Sequence, residues 1–253
     1  MLKRWRGRLA CGLGGLLLSI SPLVQAERLL LVGDEFCPYN CDDKGTHQGY
    51  MIDLLRHIYS GLGYEVEYRL VPWSRSIQMV SSGAADILIA NTPENSPDPR
   101  LSTVLGMDST CFFARQGSTW QFNDIDDLKA VRLGVIQDYH YDGKGPLDAY
   151  IRANIRDTSR VVSSKGARAL HTNFKMLQAG RLDVLLENCN VGSWLIKDQR
   201  LSDEVFIVGR LPTYHGDLQV SFSPHDPRSG TRQQQLIDGM LQLRARNELQ
   251  PIL

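Results

Sequence analysis

Apolar and polar residues alternate along the chain in two periods, which predict helices and strands in turn. In residues 51–62, apolar side chains recur three and four positions apart, as on one face of a helix. Val66, Tyr68 and Leu70 instead alternate with charged residues, which is typical of a half-buried strand. A short apolar run at 28–33 predicts another strand before this helix.

The alternation continues through the rest of the chain. After a helix that begins near Trp73, the predicted elements are strand 131–136, helix 147–153, strand 160–163, helix 167–178, strand 183–186, helix 191–197, strand 205–208 and closing helix 232–246. Strands that alternate with helices favour mostly parallel sheets with helices on both faces. The predicted fold class is therefore α/β.

A short pattern occurs twice and predicts two similar lobes. Residues 79–90 and 176–187 share Met-apolar-x-x-Gly-x-x-Asp followed by apolar residues. The glycine suits the position after a helix end, and the apolar residues suit a strand buried on both faces. The copies start 97 residues apart, too far for a solenoid. Chance similarity between two helix-to-strand turns is the alternative explanation.

The carboxyl ends of the predicted strands are the expected ligand site, as in other open α/β sheets. Aromatic rings there can stack on flat or cationic groups, guanidinium groups can grip carboxylates, and carboxylate or amide oxygens can accept hydrogen bonds from amines. Core packing, solvation and helix capping are the structural alternatives for these residue types. The predicted ligand-binding residues are Phe36, Tyr39, Trp73, Arg75, Asn91, Thr92, Arg100, Tyr139, Glu187 and Asn188.

No motif of catalysis or cofactor binding is present. The chain has no Gly-x-Ser-x-Gly, no His-Glu-x-x-His and no phosphate-binding loop. His140, in Asp-Tyr-His-Tyr-Asp, has no partner pair at metal-ligand spacing. We therefore expect no catalytic residue, no metal and no cofactor.

Composition and charge argue against several classes of protein. The 253 residues include 42% apolar residues, with 28 basic and 28 acidic side chains. These values exclude a disordered chain and a polytopic membrane protein. The balanced charge argues against a nucleic-acid partner, which would need a basic face.

The first residues have the pattern of a secretory signal peptide, predicted to span 1–26. Four basic residues precede an apolar stretch at 9–23 and a small-x-small cleavage site at 24–26. A membrane anchor is the alternative, but the stretch is shorter than the ~20 residues that span a bilayer. Cleavage would leave a protein with a net charge of −4, expected to be soluble outside the cytoplasm.

Cysteine use agrees with export. Cys37, Cys41, Cys111 and Cys189 remain after cleavage, and four cysteines in an oxidising compartment suggest disulfides with three possible connectivities. The spacing of Cys37 and Cys41 allows a small local ring, which would leave Cys111 to face Cys189. Free buried thiols or a zinc site are the alternatives.

Several segments occur in an order that resembles a known family. They are Phe-Cys-Pro-Tyr at 36–39, Gly-Tyr-Met-Ile-Asp at 49–53, Pro-Trp-Ser-Arg at 72–75 and the two Gly-x-x-Asp turns. In these the chain resembles the extracellular solute-binding proteins of family 3, the polar amino-acid uptake family, over nearly all of 27–253.

The resemblance implies a type II periplasmic-binding-protein fold, with two lobes that close on a solute. It places the crossings between lobes near 112–116 and 216–221. The first lobe is then 27–115 with 217–253, and the second is 116–216.

Carried over residue by residue, the resemblance alters the expected site. The family's stacking aromatic falls on Phe36. Its carboxylate-gripping arginine would fall on Asn95, and Arg100 takes its place after two inserted residues. The family's amine-binding carboxylate falls on Asn188, with Glu187 just before it. These departures argue against a standard α-amino acid unless the Glu187 carboxylate compensates.

The expected function is therefore a monomeric periplasmic binding protein that delivers a small polar solute, an amino acid or a related compound, to an ABC permease. Two alternatives remain. One is a sensing module that docks on a membrane receptor. The other is a dehydratase-like enzyme on the same fold, with Glu187 as its acid or base.

Overall fold

The computed structural model describes residues 26–212 and 214–249, so the predicted signal peptide lies outside the described residues except for Ala26. The strands are β1 Glu27–Gly33, β2 Tyr64–Leu70, β3 Ile87–Asn91, β4 Ser102–Asp108, β5 Thr110–Arg115, β6 Leu133–Ile136, β7 Val161–Ser164, β8 Val184–Asn188, β9 Val205–Arg210 and β10 Gly216–Phe222. The helices are α1 Tyr50–Gly61, α2 Trp73–Ser81, α3 Pro146–Asn154, α4 Ala169–Gln178, α5 Cys189–Asp198 and α6 Ser229–Ala245. The predicted alternation of strands and helices is confirmed.

The strands form two sheets of the same design. Their orders are β2-β1-β3-β10-β4 and β7-β6-β8-β5-β9. In each sheet four strands run in one direction, and β10 or β5 runs against its two neighbours. The mostly parallel sheets expected from the sequence are confirmed. The reversed strand is in each case the one that arrives directly from the other sheet.

The chain passes between the sheets at two short crossings. β4 ends at Asp108 in the first sheet and β5 begins at Thr110 in the second, so only Ser109 lies between them. This crossing precedes the predicted one at 112–116, because residues 110–115 pair with β8 and β9. The return crossing lies between the end of β9 at Arg210 and the start of β10 at Gly216. We call 27–108 with 216–249 the first lobe and 110–210 the second.

The repeated sequence pattern has one structural role in both lobes. The Asp86 side chain accepts a hydrogen bond from the Leu30 amide at 2.7 Å, and Asp183 accepts from the Arg132 amide at 2.9 Å. Each aspartate thus fixes the start of the strand that follows it, β3 or β8, against a neighbouring strand, β1 or the start of β6. Gly83 and the equivalent glycine of the second copy adopt φ of 79° and 70°, which favour glycine.

Apolar packing and disulfides hold each lobe. Leu29, Leu31, Met51, Leu55 and Ile87 are fully buried in one apolar cluster between the first sheet and its helices. Two disulfides, with Cα–Cα separations of 4.8 and 4.9 Å, join the pairs favoured by the sequence, Cys37–Cys41 and Cys111–Cys189. Within the described ranges, no helix has the length and apolarity needed to cross a bilayer.

Candidate functional site

A cavity lies between the two lobes and is lined by both. Its walls come from the carboxyl ends of strands in each sheet and from the first crossing, as the α/β architecture leads one to expect. The lining residues are Phe36, Trp73, Ala90, Thr92, Asn95, Asp108, Thr110, Tyr139, His140, Tyr141, Glu187, Asn188 and Leu218.

Aromatic rings form one wall, and Tyr139 joins the lobes across it. The Tyr139 ring meets Phe36 and Trp73 of the first lobe edge to face, with centroids 6.2 and 5.5 Å apart. Its hydroxyl donates to Asp34 Oδ2 at 2.7 Å. Tyr141 follows on the second lobe, 6.0 Å from Tyr139. A flat or cationic group between the lobes would therefore meet ring faces and edges.

The lobes are closed on one another. Trp73 Nε1 donates to the Asp138 carbonyl at 3.2 Å, and Ser74 Oγ donates to the Asp138 carboxylate at 2.5 Å. On the other side, Glu35 lies 3.2 Å from Arg168 Nε and 3.0 Å from His171 Nε2. The cavity left inside is about 30 Å³, room for about two water molecules. A solute larger than this requires the lobes to part.

The buried carboxyl groups of Glu187 and Asp108 form another part of the cavity wall. Glu187 is 1% exposed, its Oε1 accepts from the Asn188 amide at 2.7 Å, and among the described residues its Oε2 has no hydrogen-bond partner. Asp108 accepts from Asn188 Nδ2 at 2.7 Å and from the Tyr214 hydroxyl at 3.3 Å. Burial raises the pKa of Glu187 well above its usual range, and it also raises the pKa of Asp108.

Six of the ten predicted binding residues line the cavity, and two more support its wall. Tyr39 is buried behind Phe36, where its hydroxyl accepts from Asn190 Nδ2 at 2.9 Å. Asn91 Nδ2 donates to Ser221 Oγ at 2.9 Å. The six lining residues are Phe36, Trp73, Thr92, Tyr139, Glu187 and Asn188.

The two predicted arginines do not reach the cavity. Arg75 is exposed on α2, and the Arg100 side chain is 88% exposed. Asp98 explains the position of Arg100, because it accepts from both the Arg100 amide and its guanidinium, each at 3.0 Å. That local turn points the guanidinium to solvent. The expected clamp for a ligand carboxylate is therefore not formed by either side chain.

Comparison with known proteins decides the family. The model of bacterial extracellular solute-binding proteins, family 3, matches residues 30–193. The chain belongs to this family. No curated protein sequence matches it.

Solved structures share the fold of this family 3 protein at low identity. A histidine kinase sensor domain with similarity to periplasmic binding proteins is 20% identical, with a TM-score of 0.68 over 88% of this chain and 92% of that one. The arginine-bound form of truncated ArgBP from T. maritima is 15% identical, with a TM-score of 0.67 over 85% and 96%. An amino acid ABC transporter substrate-binding protein from Streptococcus pneumoniae bound to L-arginine is 15% identical, with a TM-score of 0.66 over 87% and 90%.

Sequence reasoning missed part of this family 3 site. Asp108 and Thr110 line the cavity because the first crossing runs through it, and the sequence placed that crossing later. Tyr141 and His140 follow the predicted strand 131–136 and line the cavity, but neither was among the predicted binding residues. His140 Nδ1 lies 3.3 Å from Asp148 Oδ2, and no three His, Cys, Asp or Glu side chains of the described residues are grouped to hold a metal.

The buried carboxyl of Asp34 makes the stability of the unliganded protein pH-dependent. Burial raises its pKa to about 7, against 3.8 in the unfolded chain. Between these values the folded state holds a proton that the unfolded state releases, so stability falls as pH rises. We expect the unliganded protein to lose about 2–3 kcal/mol between pH 5 and pH 8 from this group.

Thermal unfolding at pH 5 to 8 measures the effect, and Asp34→Asn is the matched variant. The variant keeps an acceptor for the Tyr139 hydroxyl but cannot ionise. Its melting temperature should fall less over this range than that of the wild type. Equal slopes for the two proteins would contradict the assignment.

Proposed function

We propose that this family 3 protein captures a small polar solute between its lobes and delivers it unchanged to an ABC importer. The observation that carries the proposal is the cavity itself, because both lobes and the first crossing contribute to its walls. Export through a cleaved signal peptide to the periplasm, and action as a monomer, belong to the same proposal.

A solute that bridges the two lobes would favour the closed form of the protein. A solute that contacts both walls binds the closed form more tightly than the open form, and so shifts the population towards closure. The sheets are joined at Ser109 and between Arg210 and Gly216, and we assign the hinge to these two crossings. The six predicted residues that line the cavity would contact the solute.

A sensing role is the second candidate. It is favoured by the likeness to a histidine kinase sensor domain, whose TM-score is as high as those of the amino-acid-binding structures. In that case the closed form would be recognised by a membrane receptor instead of a permease. A permease or a receptor kinase reconstituted with the solute-loaded protein would separate the two roles.

Thermal unfolding against a broad panel of solutes tests the proposal. The panel contains amino acids, oligopeptides, polyamines, dicarboxylates, sugars and prephenate-like acids. A solute at 100 times its dissociation constant should add about 2.7 kcal/mol, which is a shift of roughly 5–10 °C for a protein of this size. The bound solute should be recovered intact. A chemically altered solute would favour the dehydratase-like enzyme, and no shift with any solute would overturn the proposal.

A further inference from the structure

We propose that the ligand is an organic cation without a carboxylate, such as an amine or a guanidine, held by Glu187, Asp108 and the aromatic wall. This inference rests on the proposed function and names the solute class of the same cavity.

The ionisable side chains in and behind the cavity wall are mainly acidic. Glu187 and Asp108 line it, and Asp34 lies behind Tyr139. Among the residues that the structure describes, no lysine or arginine lines the cavity. Of the described residues that line the cavity, His140 is the one basic side chain, and its Nδ1 already faces the Asp148 carboxylate. A ligand cation can pair with these carboxyl groups in their ionised form, whereas a ligand carboxylate would oppose that ionisation.

The two predicted arginines and the amides at the start of α5 are not available to hold a ligand carboxylate. Arg100 is bound to Asp98 at the surface, and Arg75 is exposed. The amides at the start of α5 are also occupied, because Asn188 Oδ1 accepts from the Asn190 and Val191 amides at 2.9 and 3.1 Å. None of these groups therefore neutralises an amino acid's carboxylate in the cavity.

Two residues that line the cavity each have a buried oxygen atom that could accept a hydrogen bond from a ligand. Glu187 Oε2 and Thr92 Oγ1 are buried and have no hydrogen-bond partner among the described residues. Burying a polar atom without a partner is costly, so a ligand that donates hydrogen bonds is favoured here. Ammonium and guanidinium groups donate and carry the complementary charge, and the rings of Phe36, Trp73 and Tyr139 can attract the same charge.

Such a ligand would bind more tightly as pH rises. Burial favours the protonated form of Glu187 in the empty cavity, and a bound cation favours the ionised form, so binding releases protons. The ionisable groups around Glu187 are Asp34, Asp108, Tyr139, Tyr141 and His140.

The experiment compares matched pairs by titration calorimetry of the oxidised exported protein. The pairs are agmatine with L-arginine, cadaverine with L-lysine, and choline with glycine betaine. Within each pair the first member is a cation without a carboxylate. We expect at least one such cation to bind about 100-fold more tightly than its partner, as expected for a desolvated charge pair. Its affinity should rise from pH 6 to pH 8.

Variants of the lining carboxyl groups test whether the cation binds in the cavity. Glu187→Gln should weaken binding of the cation about 100-fold and remove the rise with pH, whereas Glu65→Gln, at an exposed position on β2, should change neither. Asp108→Asn serves as the second variant where Glu187→Gln fails to fold, which its melting curve reveals.

Three outcomes overturn the inference. If a carboxylate-bearing partner binds as tightly as its cation, or if only anionic or neutral solutes of the broad panel bind, the solute class is wrong while the proposed function stands. If the cation binds but neither Glu187→Gln nor Asp108→Asn weakens it, the assigned site is wrong. If no solute of the broad panel binds, the proposed function fails as well.

Discussion

Replacing Arg232 by methionine should lower the free energy of unfolding by about 3 kcal/mol. The Arg232 side chain is 1% exposed and ties α6 to two other parts of the first lobe. Its Nη1 lies 2.9 Å from both Asp86 and Asp226, and Nη2 bonds Glu27. Methionine fills similar space but leaves these carboxylates without their shared cation. Because they keep some access to solvent, we expect the lower end of the range for broken buried pairs.

Arg228→Met is the control for this prediction. Arg228 also pairs with Glu27 and Asp226, but its side chain is 55% exposed, so its loss should cost less than about 1 kcal/mol. Chemical denaturation measures both variants, and an unchanged m-value ensures that the difference lies in stability. Equal losses for Arg228 and Arg232 would mean that burial of the guanidinium is not what makes Arg232 important.

Trp73→Ala should weaken solute binding about 100-fold, because this ring carries two functions at once. It forms part of the cavity wall against Tyr139, and its indole N–H closes the lobes by donating to the Asp138 carbonyl. Under the proposed function, the variant would remove an aromatic contact with the solute and would also destabilise the closed form. Calorimetric titration with the solute that gives the largest thermal shift measures the loss.

Trp120→Ala is the matched control for Trp73. Trp120 packs on Phe112 and Phe122 within the second lobe, away from the cavity. Its loss should lower the melting temperature but leave the affinity of the folded protein within about threefold, since an effect below ~0.6 kcal/mol is expected for a residue outside the binding site. Equal losses of affinity in both variants would show that general destabilisation explains the Trp73 result.

The sequence predicted the fold best where a short local pattern of residues determines the secondary structure. Periodicity predicted α1, whose apolar residues Met51, Ile52, Leu55 and Ile58 are buried along one side of the helix. The repeat predicted two equivalent helix-to-strand turns, and Asp86 and Asp183 make equivalent hydrogen bonds there.

The sequence was least informative at the crossings between lobes. β5 is buried along nearly its whole length, so its sequence shows no alternation of apolar and polar residues. The sheet to which it belongs is determined by its pairing with β8 and β9, which lie much later in the sequence. On β4, the exposed side chains of Val104 and Met107 hide the strand pattern. Asp108 was missed for this reason, since it lines the cavity only because β4 ends there.

The position of Arg100 shows a second reason why the sequence alone did not predict the whole site. Its spacing suited a carboxylate clamp, but one neighbour, Asp98, binds its amide and its guanidinium and directs it to solvent. Glu187 was recognised as a candidate, whereas its unpartnered oxygen and the absence of lining arginines among the described residues required the structure.

Amide hydrogen exchange with and without the solute of largest thermal shift tests solute capture between the lobes most directly. Binding between the lobes should slow exchange in both of them, at 90–92 of the first lobe and at 137–141 and 187–190 of the second. The surfaces of α3 and α6 should exchange as before. Slower exchange confined to one lobe, or away from the cavity, would contradict capture of the solute between the two lobes.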